Sequence, residues 1–362
     1  MNALQAAAVR RWVDNHSAQQ PVDWRGLQGA RLLLTGCTGP FGLWILHRIS
    51  QACAQGELKV GETVVLSRSP ERVGALLKHL HGACHARALV SDIRDLQPGQ
   101  ISPTHVIHGA TTNASETFAG ADPEEKFGTL VDGTRSLIRS LELEPPRSVV
   151  FLSSGIAYGT GCLSPNEESS ESAPATTDVA ASLGHAKRAA EFLLSSAGQR
   201  WNSSVKIARC FSFCGPGIPM NLHYALGDFI RQALQSDEIR LASEGQAVRS
   251  YLHLADMATA VLAMLGSNDR STDGTPIAEI VNIGSDRALS IRSLAEMVAK
   301  TLNPNASIVV GQSGDGNRSG NRHRAYLPDT RRLGRWLVPS RTIPLQEAIM
   351  QMAEFDSLAR SN

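Results

Sequence analysis

Gly36, Gly39 and Gly42 stand three residues apart, directly behind the apolar run Leu32-Leu33-Leu34 and ahead of an amphipathic stretch. A strand that feeds a glycine turn and then a helix makes an anion cradle. Gly36 permits the tight turn, Gly39 lets the backbone approach a pyrophosphate, and Gly42 lets helix and strand pack closely. A dinucleotide diphosphate then rests on free N–H groups at the positive end of the helix dipole. Thr38 and Phe41 lie in the same turn and count with the glycines as expected cofactor contacts. The next apolar run ends in Leu66-Ser67-Arg68. An acidic residue usually meets a ribose without a 2′-phosphate here; Ser67 and Arg68 offer donors and positive charge instead, which favours NADP over NAD. Asp92 and Ile93 end the third run, where an adenine edge would lie. Gly109, Ala110 and Thr111 end the fourth, where small residues let a cofactor lie against the backbone.

The elements that must position these residues are legible as a rhythm. Short apolar runs at 31–34, 63–66, 88–90, 105–107, 148–152 and 205–208 read as strands buried on both faces. Between them, 42–55, 70–79, 122–143 and 182–197 carry helical patterns. This alternation predicts an α/β fold, a Rossmann-type doubly wound parallel sheet with a smaller C-terminal substrate-binding domain. The expected division is an N-terminal extension (1–28), a dinucleotide-binding domain (29–214) and a mainly substrate-binding domain (215–362), with 279–286 returning to the sheet. The extension is expected to pack on the outside through Trp12 and Trp24.

Composition narrows the function classes. The chain has 362 residues, 42% hydrophobic and 19% charged, with a formal net charge of +1, so neither nucleic acid nor membrane is an expected partner. No apolar run approaches a membrane span, and 1–20 lacks the apolar core of a signal peptide. The six cysteines are scattered, as reduced thiols of a cytoplasmic protein would be. His79, His81, Cys84 and His85 cluster, but nothing completes a coordination shell, so no metal is expected.

Longer motifs resemble those of the extended short-chain dehydrogenase/reductases, specifically the nucleotide-sugar epimerase/dehydratase family. They are the glycine turn, His108-Gly109-Ala110-Thr111, Val131-Asp132-Gly133-Thr134, and Phe151-Leu152-Ser153-Ser154-Gly155-Ile156-Ala157-Tyr158-Gly159. Gly215-Pro216 and Arg249-Ser250-Tyr251-Leu252-His253-Leu254-Ala255-Asp256 follow further on. The resemblance implies a nucleotide-diphosphate sugar as substrate, NADP or NAD as cofactor, and a homodimer formed through 122–143 and 182–197. It places Ser154 as the catalytic serine, Lys187 as the lysine that serves both chemistry and cofactor ribose, and Phe211 near the cofactor. It places Thr112, Ser154, Gly155, Ser212 and Arg249 on the substrate, with Arg249 as the phosphate clamp that Arg322 and Arg324 could assist.

The same resemblance exposes departures. The family pairs a tyrosine with a lysine four residues on, where the tyrosine exchanges a proton with the sugar. Lys187 is present, but Leu183 stands at the tyrosine position, and none of the four tyrosines has a lysine four residues later. A positioned acid/base is worth roughly 10²–10⁴ in rate. Three readings stay open: another group moves the proton, with His223 and Tyr224 as candidates and His185 on a different helix face; the reaction needs no acid there; or the chain is a catalytically silent dinucleotide-binding regulatory or scaffold subunit. Gly155 and Ile156 replace the Asp-Glu pair of 4,6-dehydratases, and Ser212 replaces a family asparagine. The expected activity is epimerisation or keto reduction at or near C4 of a nucleotide-activated sugar.

Overall fold

A computed structural model describes residues 1–111, 122–159, 165–220, 224–267, 269, 278–310 and 325–360. Seven parallel strands form the central sheet: β1 (Arg31–Thr35), β2 (Glu62–Ser67), β3 (Ala86–Val90), β4 (His105–His108), β5 (Ser148–Ser154), β6 (Ser204–Cys210) and β11 (Ala278–Ile283). Their order is β3-β2-β1-β4-β5-β6-β11. The order reverses beside β1, and the carboxyl ends of the strands around that switch point are where such sheets bind ligands. The sequence rhythm therefore finds the right sheet, and β11 joins it parallel to β6, pairing Ile280 with Ile207.

Alternation along the strands sorts two cores. Leu32, Leu34, Val65, Ile107, Val150 and Leu152 face one side, with α2 (Pro40–Ala54) and α7 (Leu254–Gly266). Leu33, Val64, Leu66, Val106, Val149 and Phe151 face the other, covered by α4 (Pro123–Leu141) and α5 (Ser182–Trp201). A third core joins α6 (Ala225–Gln235), α8 (Ile291–Leu302) and α9 (Leu345–Arg360) with β8 (Glu238–Leu241). The short helix α3 (Pro70–Leu77) links β2 to β3.

The N-terminal segment does more than rest on the surface. It forms α1 (Ala3–Gln19), started by a capping box between Asn2 and Gln5. Ala8, Val9, Trp12 and Val13 join the first core, and Trp24 is 6% exposed. Inside, His16 Nε2 meets Asp256 Oδ1 at 2.7 Å. Asp256 Oδ2 also accepts the Ile343 N–H at 3.0 Å, so one buried carboxylate ties α1 and α7 to the chain ahead of α9. The apolar pattern at 239–241 already reads as a strand, and β8 forms there and pairs with β13 (Ser307–Val310). The two-residue strands after Cys210 gave no such signal and pair through tertiary contacts, β7 (Phe213–Cys214) with β10 (Leu252–His253), and β9 (Val248–Arg249) with β12 (Leu289–Ser290) and β14 (Ala325–Tyr326).

Candidate active site

Backbone builds the first end of the site. Gly36 has φ +69°, and a Cβ there would lie 2.3 Å from the Gly109 carbonyl carbon, so the β1 and β4 turns touch through glycine. A Cβ on Gly42 would lie 1.7 Å from the Cys37 oxygen. Gly39 differs: it is the N-cap of α2, with no side-chain cap and nothing within 4 Å of a Cβ position. Pro40 supplies no N–H at the first helical position, which leaves the Phe41 and Gly42 N–H groups at the helix mouth. Open space against an uncapped helix start fits a dinucleotide pyrophosphate. Thr38 is half-buried beside it, and Phe41 packs edge-on to Phe213 at 4.9 Å.

The neighbouring strand ends line up along the same edge. The buried Ser67 hydroxyl donates to the Ser69 carbonyl at 3.1 Å, while Arg68 is exposed. Asp92 is held in a bidentate pair by Arg94, at 3.0 and 2.9 Å. That hydrogen bonding, with the nearby charge of Arg68, lowers the Asp92 pKa. Ile93 is buried, and a Cβ on Gly133 would press its Cγ2 at 2.7 Å. Beyond β4, a Cβ on Gly109 would meet the Thr35 oxygen at 3.2 Å, and the Thr111 hydroxyl is buried with no hydrogen-bond partner among the described residues.

Beneath this edge runs a buried chain that sequence reasoning missed. Thr134 Oγ1 donates to the Leu130 carbonyl at 2.7 Å, so it accepts from His108 Nε2 at 3.0 Å. Nδ1 of His108 is thereby the acceptor for Thr35 Oγ1, at 2.7 Å. Burial, seconded by the Lys187 charge, pushes the His108 pKa down to about 3, so the ring is a neutral strut between β1, β4 and α4. The motif His108-Gly109-Ala110-Thr111 contains the signal, but its partners become visible only when the strands pair.

Side chains build the second end. Ser154 closes β5, where its Oγ accepts the Ile156 N–H at 3.3 Å. Lys187 is buried on α5; its Nζ donates to the Leu152 carbonyl at 2.7 Å and sits 4.8 Å from the Phe151 ring centre. Burial lowers the Lys187 pKa to about 8, partly offset by Glu191. Glu191 is one turn along the same helix and is locked by Arg209, at 3.0 and 2.6 Å, and by the Ser153 hydroxyl at 2.5 Å. Leu183 is half-buried against the α4/α5 core, and His185 Nε2 lies 3.1 Å from the Ala175 carbonyl.

The C-terminal part of the chain delivers the rest. Arg249 on β9 pairs in register with Tyr326 on β14, and its guanidinium lies 5.8 Å from the phenol ring. Arg249 also donates to the Val248 carbonyl at 2.8 Å. Tyr326 packs against Phe211 with ring centres 4.7 Å apart and planes tilted by 38°, and its hydroxyl donates to the Cys210 carbonyl at 3.4 Å. Cys210 and Ser154 are register partners on adjacent strands, which brings the phenol to the serine. Half-buried Ser212 follows Phe211, and its carbonyl accepts from Leu252 N at 3.1 Å. Tyr224, 42% exposed, starts α6. Thr112, His223, Arg322 and Arg324 lie outside the described residues. Among the described residues, no three His, Cys, Asp or Glu side chains gather to hold a metal, and no helix is long and apolar enough to cross a membrane.

The family model described as the NAD dependent epimerase/dehydratase family matches residues 32–284. The chain belongs to this family. The match runs from β1 through β11 and so takes in the glycine turn, Ser154, Lys187 and Arg249. Among curated relatives, UDP-glucuronic acid decarboxylase 3 of Arabidopsis thaliana is 25% identical over 195 residues, 54% of each chain. The chain spans about half the length of the first such relatives it matches. A UDP-glucose 4-epimerase of Thermotoga maritima, solved with UDP-glucose, has the same fold, with a TM-score of 0.73 at 18% identity over 91% of this chain and 100% of that one. MoeE5, solved with UDP-glucose and NAD, has a TM-score of 0.69 at 20% identity, again over 91% of this chain and 100% of that one.

Proposed function

We propose that this family member binds NADP, or NAD less tightly, and converts a nucleotide-activated sugar at or near C4 by epimerisation or keto reduction. The observation that carries this reading is the convergence of Ser154, Lys187 and the Arg249–Tyr326 pair on the sheet edge where the glycine turn opens. The dinucleotide, held by Gly36, Gly39, Gly42, Ser67 and Arg68, would supply or accept the hydride. Ser154 would hydrogen-bond the reacting sugar oxygen. Lys187 keeps its charge at neutral pH and would serve the nicotinamide ribose, and Arg249 would clamp the diphosphate with its planar guanidinium. Exposed Phe127 and Phe192, at 38% and 71%, flank a groove of about 440 Å³ between α4 and α5. A second copy would pack there, and sedimentation is expected to show a dimer.

The relatives divide between 4-epimerisation of a UDP-hexose and decarboxylation of a UDP-uronic acid. A ketone at C4 lies β to the carboxylate of a uronic acid, so the same oxidised intermediate can lead to an epimer or to loss of carbon dioxide. The test is incubation of UDP-hexoses and UDP-uronic acids with NADP or NAD, and of UDP-4-ketosugars with NADPH or NADH, read by proton NMR for epimers and by mass spectrometry for the other products. An epimer or a product heavier by two hydrogens is expected. Carbon dioxide loss from a UDP-uronic acid would replace this outcome with decarboxylation. Bound cofactor with no product from any sugar would replace it with the silent-subunit reading.

A further inference from the structure

The tyrosine missing from α5 has a counterpart elsewhere in the fold. Tyr326 reaches the end of β5 from the C-terminal part of the chain: its hydroxyl donates to the carbonyl of Cys210, the register partner of Ser154 on the neighbouring strand. The position is made possible by a glycine. A Cβ on Gly155 would lie 2.6 Å from the Tyr326 hydroxyl and 2.8 Å from the Phe211 ring, so any larger residue there would evict the phenol. The ring is held by its tilted contact with Phe211 and by strand pairing with Arg249. Leu183, Gly155 and Tyr326 therefore form one arrangement: apolar where the family tyrosine would stand, empty where a side chain would block, and phenolic at the serine.

We propose that Tyr326, with Ser154, contacts the reacting sugar oxygen and is the proton donor for this chain's chemistry. The role rests on the nucleotide-sugar reading above. In the reducing direction, the phenol O–H bond breaks as an O–H bond forms on the sugar oxygen, while the sugar carbon receives hydride from a reduced nicotinamide dinucleotide. The electron pair left on the phenolate oxygen faces the Ile156 N–H and the Arg249 charge until water returns the proton. Burial raises the Tyr326 pKa, opposed by Ser154, Arg249 and the Ile156 N–H, so the resting group is a neutral donor. The titratable neighbour on β6 is Cys210, whose own thiol burial pushes up to about 12, leaving it uncharged. Arg249 on β9 is the facing cation.

The test is Tyr326→Phe, which keeps the ring on Phe211 and removes only the hydroxyl, with Gly155→Ala as a second variant that displaces the phenol by volume. Turnover, solvent deuterium isotope effect and calorimetric affinity for UDP-hexose are measured on all three proteins. The expected result for Tyr326→Phe is a fall in kcat of roughly 10²–10⁴, with UDP-hexose affinity and KM within a few-fold and the solvent isotope effect changed. Gly155→Ala should fall in the same direction while Tyr326 is intact. Full turnover by Tyr326→Phe overturns the donor role and leaves the nucleotide-sugar reading standing. No turnover by the unaltered protein with bound UDP-hexose overturns both. A Tyr326→Phe protein that loses UDP-hexose affinity in step with rate assigns Tyr326 to binding and also overturns the donor role.

Discussion

The glycine turn and the proposed proton-transfer end of the cleft share one sheet edge but hold their groups in opposite ways. At the turn the working parts are backbone N–H groups, and what matters is the side chains that are missing: Gly36 against Gly109, Gly42 against Cys37, and open space at Gly39. At the other end the working parts are side chains drawn from well-separated segments, with Ser154 on β5, Lys187 on α5, and Arg249 and Tyr326 on paired short strands. A backbone cradle is bound to its local spacing, because moving one glycine destroys the turn. A side-chain cluster has no such constraint. A phenol can be supplied by a different strand, provided a neighbour such as Gly155 shrinks to admit it.

The sharpest contrast comes from the glycines. Gly39→Asp should fold normally, since a Cβ there meets nothing within 4 Å, and should lose NADP and NAD affinity by about 10²-fold or more, the scale of a buried like-charge contact. Calorimetry and thermal melting on the same sample separate the two effects. Gly36→Ala should do the reverse and lower the melting temperature first, because φ +69° and the Gly109 backbone both reject a side chain. Retained cofactor affinity in Gly39→Asp would break the comparison at its local end.

A smaller effect is expected at the edge of the cradle. Arg68 is exposed, so Arg68→Ala should weaken NADP by about tenfold, toward the lower end for a charged hydrogen bond, and leave NAD nearly unchanged. Equal losses for both cofactors, measured by fluorescence titration, would remove the 2′-phosphate preference. The smallest effect belongs to Leu183→Tyr. With Tyr326 already at Ser154, restoring a phenol on α5 should leave kcat within a few-fold or lower it by crowding. A gain of about 10² would show that the proton donor was missing, not relocated.

The same contrast explains what the sequence alone could show. The sheet, α2 and the dinucleotide turn were legible because each is written in contiguous residues: an apolar run, glycines three apart, an amphipathic stretch. The expectation that Leu183 stands at the tyrosine position came from the same kind of signal, since the family spacing to Lys187 is local. Tyr326 was not. Its only local feature is a two-residue strand, and its meaning depends on β14 pairing with β9 and β6 lying beside β5. The Thr35–His108–Thr134 chain was hidden likewise, because its members meet only across β1, β4 and α4. The buried role of α1 escaped for a related reason: its moment is weak, and its anchor, the His16–Asp256 contact, spans most of the chain.

The central claim is that bonds to C4 of a nucleotide-activated sugar are made and broken at Ser154, with the dinucleotide in the glycine turn. The most direct measurement uses a UDP-hexose carrying deuterium at C4, incubated with the protein and its preferred cofactor, with the rate and the position of label in the product followed by NMR. Slower conversion of the labelled sugar than of the unlabelled one, with the same cofactor requirement in both cases and loss of the reaction in Ser154→Ala, is the expected result. Equal rates for labelled and unlabelled sugar, or conversion that continues undiminished in Ser154→Ala, would contradict it.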